Sequence, residues 1–151
     1  MDADVYHKHS GAVSNFADKL SLPQAALAQE ITKENYDFGF LTLPDGFSEA
    51  QLEAALTIQM ADFLLELGKG FAFVGRQKEI VVAGRSRRID LLFYHIYLRC
   101  YVVVELKAVA FEPEFAGKLN YYVAAVDEAV KCESDNPTIG LLICSNTTSY
   151  T

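Results

Sequence analysis

RIDLLFYHIYLRCYVVVELK, residues 88–107, sets the architecture of this 151-residue chain. Its alternating residues predict two strands joined by a short turn. In the first strand, Ile89, Leu91 and Phe93 are expected to share one face, because successive side chains of a strand point to opposite sides. The valine-rich second half predicts a strand that is buried on both sides, as in the middle of a covered sheet.

Three charged residues interrupt this apolar pattern. Asp90 lies in the first predicted strand, and Glu105 and Lys107 project from one face of the second. Buried charges are costly unless they are paired or bind a metal. The pattern therefore predicts a site in which two carboxylates hold a hard divalent cation and the lysine positions a water molecule. A structural Asp–Lys or Glu–Lys ion pair is the alternative.

Four phrases carry a family resemblance: LLELGKGFAFVGRQ, IDLLFYH, LRCYVVVELK and FEPEFAGKLNYY. Together with Asp90 and the run Glu105-Leu106-Lys107, they resemble the C-terminal nuclease domain of the YhcG-type family in the PD-(D/E)xK nuclease superfamily. The resemblance covers residues from about 64 to 145. It implies an α/β, restriction-endonuclease-like αβββαβ core, in which helices flank a central mixed β-sheet.

The resemblance also implies an activity, a cofactor and a partner. The activity is a Mg²⁺-dependent DNA endonuclease or phosphodiesterase that would serve DNA restriction, repair or recombination, with Mn²⁺ as a substitute for Mg²⁺. The metal ligands would be Asp90, Glu105 and the backbone carbonyl of Leu106. A non-cleaving nucleic-acid-binding module of nuclease ancestry is the alternative.

Further candidate site residues lie on the predicted helices and strands. Glu66 is in the last turn of the first long helix, where superfamily members often carry a metal-site acid; an exposed glutamate is the alternative. Lys118 and Tyr122 are neighbours on the second helix, at the spacing of a pair that faces the site in many members. Tyr122 as a core residue and Lys118 at the rim are the alternatives.

Four polar residues complete the predicted nucleic-acid contacts, namely Arg76, Gln77, Arg87 and Arg88. Arg76 and Gln77 could reach the substrate backbone or make structural hydrogen bonds. The net charge of −7 argues against a nucleic-acid partner, but residues 69–118 hold nine basic and five acidic residues, and the remainder holds four and fifteen. Basic charge is thus concentrated around the site, as phosphate binding requires. A solvated strand edge is the alternative.

The elements predicted around this hairpin follow the order of the implied core. A capping box at Ser48 and Gln51 predicts a helix that ends at Gly68. Pro113 predicts the start of the second helix. Because this helix crosses between the Glu105 strand and a last strand, a parallel pair is expected there. The other predicted elements are a strand over 71–77 and 79–82, a turn over 83–86 and a strand over 138–144.

The chain is predicted to divide into three parts: a lead-in over 1–46, the nuclease-like domain over 47–145 and a polar tail over 146–151. The lead-in, with a short helix over Pro23–Thr32, resembles the end of the N-terminal domain of a longer family protein. Its aromatic patch of Tyr36, Phe38 and Phe40 either packs on the core or forms an interface. A self-associating interaction domain, and with it a homodimer, therefore stays open.

Composition narrows the cellular setting. Hydrophobic residues make up 51% of the chain, which is enough for a packed core. No apolar run is long enough to cross a bilayer, so no membrane partner is expected. The polar N-terminus lacks a signal-peptide core. The three cysteines lie in or beside apolar segments, which predicts buried reduced thiols and a cytoplasmic protein.

Overall fold

The structure, a computed structural model, describes residues 9–14 and 35–145. The lead-in helix predicted over Pro23–Thr32 and the tail over 146–151 lie outside these residues. The described elements are β1 (His9–Ser14), β2 (Asn35–Asp37), α1 (Glu49–Ile58), α2 (Met60–Leu67), β3 (Phe71–Val82), β4 (Arg85–His95), β5 (Cys100–Lys107), α3 (Pro113–Ala129) and β6 (Ile139–Ser145). No described helix has the length and apolar character needed to span a membrane.

The described strands form one sheet in the order β2-β1-β6-β5-β4-β3. Strands β3, β4 and β5 form an antiparallel meander, and β5 and β6 are parallel on either side of the α3 crossover. These pairings confirm the predicted α/β, restriction-endonuclease-like core with its mixed sheet between helices. The lead-in adds β1, antiparallel to β6, and β2, antiparallel to β1. The domain boundaries themselves remain a prediction.

The first predicted helix begins where expected but is interrupted. Ser48 and Gln51 form the reciprocal hydrogen bonds of a capping box, and Gly68 ends the second segment. At Gln59 the backbone leaves helical geometry, so α1 and α2 replace one long helix. The Thr57 hydroxyl donates to the Glu53 carbonyl four residues earlier, an arrangement that bends helices.

Two apolar clusters cover the two faces of the sheet. The first joins α1 and α2 to the sheet and the second joins α3 to it. Tyr36 and Phe38 are 0% and 2% exposed and belong to the first cluster, and Phe40 packs against it. The aromatic patch is therefore part of the core, and the idea that it forms an exposed self-association surface is wrong.

Two local predictions need correction. Cys100 and Cys144 are buried as expected, but Cys132 is exposed, because it lies in the loop after α3. Leu91 and Phe93 pack in the cluster under α1 and α2, whereas Ile89 packs in the cluster under α3. The three residues thus do not share one face, since the alternation of β4 is interrupted at the residue between Ile89 and Leu91.

Candidate active site

The interruption in β4 coincides with a fork between two strands. The β4–β5 ladder runs from the turn to the pair Leu91–Val104 and does not continue to Asp90 and Glu105. Beyond this pair, the side chains of the two acids accept hydrogen bonds from the backbone in place of the ladder. The Asp90 N–H donates to Glu105 Oε1 at 3.4 Å, and the Leu106 N–H donates to Asp90 Oδ2 at 3.2 Å. The fork therefore brings the two predicted carboxylates together.

The third predicted ligand also faces the fork. The N–H and C=O of one residue in an extended strand point to the same side. Because the N–H of Leu106 points to Asp90, its carbonyl is directed towards the same gap. Two carboxylates and one carbonyl are all oxygen donors, which is the chemistry that hard divalent cations prefer.

Both carboxylates are charged groups in an unfavourable environment. Burial raises the pKa of Glu105 to about 8, and the neighbouring charge of Asp90 adds to the increase. Burial also raises the pKa of Asp90; the Leu106 N–H opposes this shift, whereas the charge of Glu53 adds to it. Glu105 is 6% exposed. The surroundings of the pair therefore supply too little positive charge to stabilise both carboxylates in the ionised form.

Glu53 is a site residue that sequence reasoning missed. It is 5% exposed on α1. Arg76 Nε donates to its Oε1 at 2.7 Å, and Gln77 Nε2 donates to its Oε2 at 2.5 Å. Gln77 Nε2 also lies 3.4 Å from Asp90 Oδ1. The available signal was the position of Glu53 beside the apolar stripe of Leu52 and Leu56. This stripe identifies the buried face of the helix but not the turn that meets the site.

Glu66, the helix acid named as a candidate from the sequence, is not brought to this cluster. Its Oε2 accepts a hydrogen bond from the backbone N–H of Asp37 in β2 at 2.8 Å. The physical reason is the sheet order, which sets β2 at the edge opposite to β3. Glu66 is therefore tied to the lead-in side of the molecule.

Gln77 reaches the carboxylates of Glu53 and Asp90 from an unusual backbone conformation. Its φ is +49°, a region that residues other than glycine seldom adopt. Strain of this kind persists where the surroundings fix it, and it is common at functional sites. Arg76 and Gln77 thus make hydrogen bonds to acids, which was the structural alternative for both.

Lys107 stands beside the fork without pairing with it. Its Nζ is 3.8 Å from Glu49 Oε1 and 4.9 Å from the centre of the Phe115 ring. The ion pair that Lys107 makes is therefore with α1 and not with Asp90 or Glu105. Its charge nevertheless lowers the pKa values of both Asp90 and Glu105, so it acts on the site at longer range.

A basic groove adjoins the fork on the α3 side. It has a volume of about 610 Å³ and is lined by Arg85, Arg87, Lys118, Tyr121 and Tyr122. The structure thus brings three of the predicted nucleic-acid residues together. Arg88 is not among the lining residues, because side chains next to each other in a strand point to opposite faces.

The comparisons with known proteins bear on this constellation. The model of the YhcG PDDEXK nuclease domain matches residues 29–151. The chain belongs to this nuclease family. A protein of Escherichia coli (strain K12) named "Putative nuclease YhcG" is 40% identical over 119 residues, which is 79% of this chain and 32% of that protein. The chain thus spans about a third of the length of this curated relative. No solved structure matches the chain.

PDDEXK nucleases generally depend on a divalent metal, and the donor set at the fork fits one. Among residues 9–14 and 35–145, no group of three or more His, Cys, Asp or Glu side chains has the arrangement of a metal centre. Glu53, the acid next to the pair, already accepts two hydrogen bonds. A bound ion would be held by Asp90, Glu105 and the Leu106 carbonyl, with its other positions left to water and substrate oxygens.

Proposed function

We propose that this domain is a Mg²⁺-dependent DNA endonuclease that hydrolyses phosphodiester bonds at the fork between β4 and β5. The observation that supports this most is the opening of the ladder at Asp90 and Glu105. Buried Glu105 and partly buried Asp90, both with raised pKa values, lie there without an ion pair to Lys107. Such an arrangement has a cost in stability, which a bound cation offsets.

Each residue has a separate task in this proposal. Asp90, Glu105 and the Leu106 carbonyl hold Mg²⁺, or Mn²⁺ in its place. When bound, the ion supplies Lewis-acid stabilisation of the phosphate and activates a water molecule. Lys107 orients that water and neutralises charge that develops on the phosphate. Lys118, in the basic groove, holds the phosphate backbone beside the reacting group.

The proposal also covers the extent of the domain, its partner, its location and the process it serves. The unit that cleaves is residues 47–145, its partner is DNA, and its location is the cytoplasm. Restriction, repair or recombination of DNA is the process that such a unit serves. The family and the basic groove support a nucleic-acid partner, and the buried aromatic patch offers no support for a homodimer.

A binding module that does not cleave is the second candidate. The relative that matches is about three times as long as the matched part, since the chain covers 32% of it. Parts of the longer protein could therefore be needed for turnover. This candidate requires nucleic-acid binding at the basic groove without metal-dependent hydrolysis.

Cleavage of labelled single-stranded, duplex and branched DNA decides between the two. We expect products with Mg²⁺ or Mn²⁺ and none with chelator. Lys107→Met should lower the rate by about 10²–10⁴-fold, the usual range for a lost proton-transfer group. Cleavage in chelator, or a parental rate for Glu105→Gln, contradicts the proposal. Binding of DNA without any metal-dependent cleavage favours the second candidate.

Glu53→Gln and Glu66→Gln form a matched pair for this assay, because both remove one acid from neighbouring helices. Only Glu53 shares a hydrogen-bond network with Asp90 through Gln77. We expect Glu53→Gln to slow cleavage and Glu66→Gln to keep the parental rate, with thermal melts confirming that both variants fold.

A further inference from the structure

We infer that the groove between β4 and α3 binds unpaired nucleotides by stacking, with Tyr121 as the platform. The substrate class that follows is DNA with a single-stranded stretch beside the scissile phosphate. This inference rests on the proposed function, because it specifies the substrate of the same site.

The lining of the groove combines the two features of single-strand binding sites. Its five residues are three cations, Arg85, Arg87 and Lys118, and two tyrosines, Tyr121 and Tyr122. Cations follow the phosphate backbone, and aromatic rings stack on successive bases. Since no carboxylate is among the described residues that line the groove, its field attracts a polyanion even though the whole chain is acidic.

The two tyrosines differ in exposure, and the difference assigns their roles. Tyr122 is 7% exposed and belongs to the core under α3. Tyr121 is 40% exposed, and its ring centre lies 6.0 Å from that of Tyr122 at an interplanar angle of 62°. Tyr122 therefore supports Tyr121 from behind, and Tyr121 offers the accessible ring.

Arg87 places a charge at the same ring. Its guanidinium carbon lies 5.5 Å from the centre of the Tyr121 ring, within the range of a cation–π contact. The contact restrains a long side chain whose charge is suited to phosphate. A base on Tyr121 would thus have a cation for its phosphate beside it.

The groove adjoins the reacting centre. Burial raises the pKa of Tyr122, the charges of Glu105 and Asp90 raise it further, and the charge of Arg87 lowers it. Tyr122, which lines the groove, is therefore close enough to both acids for their charges to act on it. A nucleotide stacked on Tyr121 would be close in sequence to the phosphate at the fork.

The exposed ring discriminates between strands and duplexes. In a duplex the faces of the bases are covered by their neighbours, so stacking on a side chain requires unstacking first. An unpaired strand presents its base faces freely, and stacking is worth about 5- to 100-fold in affinity per base. Duplex DNA would use only the cations of the groove.

Binding measured in chelator tests the inference without requiring cleavage. The probes are fluorescent oligothymidylate and a labelled duplex of equal length at low salt. Tyr121→Ala should weaken single-strand binding by about 5- to 100-fold and duplex binding by less than about 2-fold. Tyr121→Phe, which keeps the ring, should retain parental affinity for both probes.

Two further variants separate stacking from charge. Arg87→Ala should weaken both probes, because each presents phosphates. Tyr97→Ala is the matched control, since Tyr97 is 60% exposed in the turn between β4 and β5 and does not line the groove. It should leave both affinities unchanged.

The outcomes distinguish this inference from the function on which it rests. If the parent cleaves DNA but Tyr121→Ala weakens both probes equally, or neither, the inference is overturned and Tyr121 is only a surface partner of Arg87. If Tyr121→Ala weakens the single strand alone, the inference stands, even where no cleavage of any DNA is detected and the proposed function fails.

Discussion

The two ends of the β4–β5 hairpin accommodate polar side chains in opposite ways. At the turn, His95 and Cys100 are paired and fully buried. His95 Nε2 lies 2.9 Å from the Lys69 carbonyl, and its Nδ1 accepts a hydrogen bond from the Leu98 N–H at 3.2 Å. At the fork, in contrast, the ladder has stopped and two carboxylates fill the gap.

This contrast separates stability from chemistry within one pair of strands. The turn end buries a neutral histidine whose ring nitrogens both have partners, and burial lowers the pKa of His95. The fork end holds buried Glu105 and partly buried Asp90, whose pKa values are both raised. Sites of this kind commonly trade stability for function, so the two ends should respond oppositely to mutation, metal and pH.

The largest effect is expected in the core beside the turn end. Phe93 is 0% exposed and its ring packs against those of Phe63, Phe71 and Phe73. Phe93→Ala should lower the free energy of unfolding by about 3–5 kcal/mol, because it leaves a cavity. Leu65→Ala, at a residue that is 78% exposed, should change it by less than about 0.5 kcal/mol. Urea titrations measure both, and similar values would contradict the assignment of the core.

At the fork, removing charge should stabilise. The pKa of Glu105 is raised in the folded state, from 4.5 to about 8, so the unfolded state loses its proton first as pH rises. Parental stability in chelator should therefore fall between pH 4.5 and 8. Glu105→Gln should remove this loss and be more stable at pH 8, on the order of 1–3 kcal/mol. Equal pH profiles of parent and variant would contradict the assigned shift.

Added metal should reverse the relative stability of the parent and a fork variant. Asp90→Asn should be at least as stable as the parent in chelator, since it relieves the repulsion between two acids. Added Mg²⁺ or Mn²⁺ should raise the melting temperature of the parent and not of the variant, with Glu66→Gln as the control that keeps the response. A variant that loses about 3–5 kcal/mol in chelator would instead indicate a structural ion pair.

The turn end should show the opposite pH dependence. Because the folded-state pKa of His95 is lowered from 6.5, the unfolded state takes up a proton first as pH falls. Its contribution to stability is therefore complete above pH 6.5 and is lost below it. Denaturant titrations of the parent and His95→Gln across this window should show a weaker decrease for the variant. Parallel curves would exclude the buried neutral histidine as the cause.

The smallest effect concerns the two neighbouring arginines of β4. Arg87 lines the groove and Arg88 does not. Arg87→Ala should weaken DNA binding by about 5-fold at low salt and reduce the salt dependence by about one phosphate contact. Arg88→Ala should change affinity by less than about 2-fold. Equal losses of affinity in the two variants would mean that the arginines act through general electrostatic attraction and not through the groove.

Residue pattern alone was sufficient for the elements that dominate the fold. The period of the β4 and β5 residues, the capping box at Ser48 and the proline that opens α3 each encode their element locally. The motif of Asp90 and Glu105 was also visible in the sequence, and the structure brings the two together. The strand period, the capping box and the proline depend on neighbours within a few residues, which a linear reading contains.

The choice of partner residues required the tertiary structure. Glu53 and Glu66 are alike in sequence, and only the packing of the helices directs Glu53 to Asp90 and Glu66 to β2. The same holds for Tyr121 and Tyr122, one of which is a core residue and the other a surface ring.

By itself, then, the sequence determined the helix–meander–helix–strand order of the core, the parallel pair in its sheet and the identity of the two fork acids. The tertiary structure decided where the ladder opens, which helix acid joins the site and which cations form the groove. The physical reason is that periodicity and capping are local properties of the chain. The fork and the groove instead arise where segments far apart in sequence meet, and their geometry depends on how all of them pack.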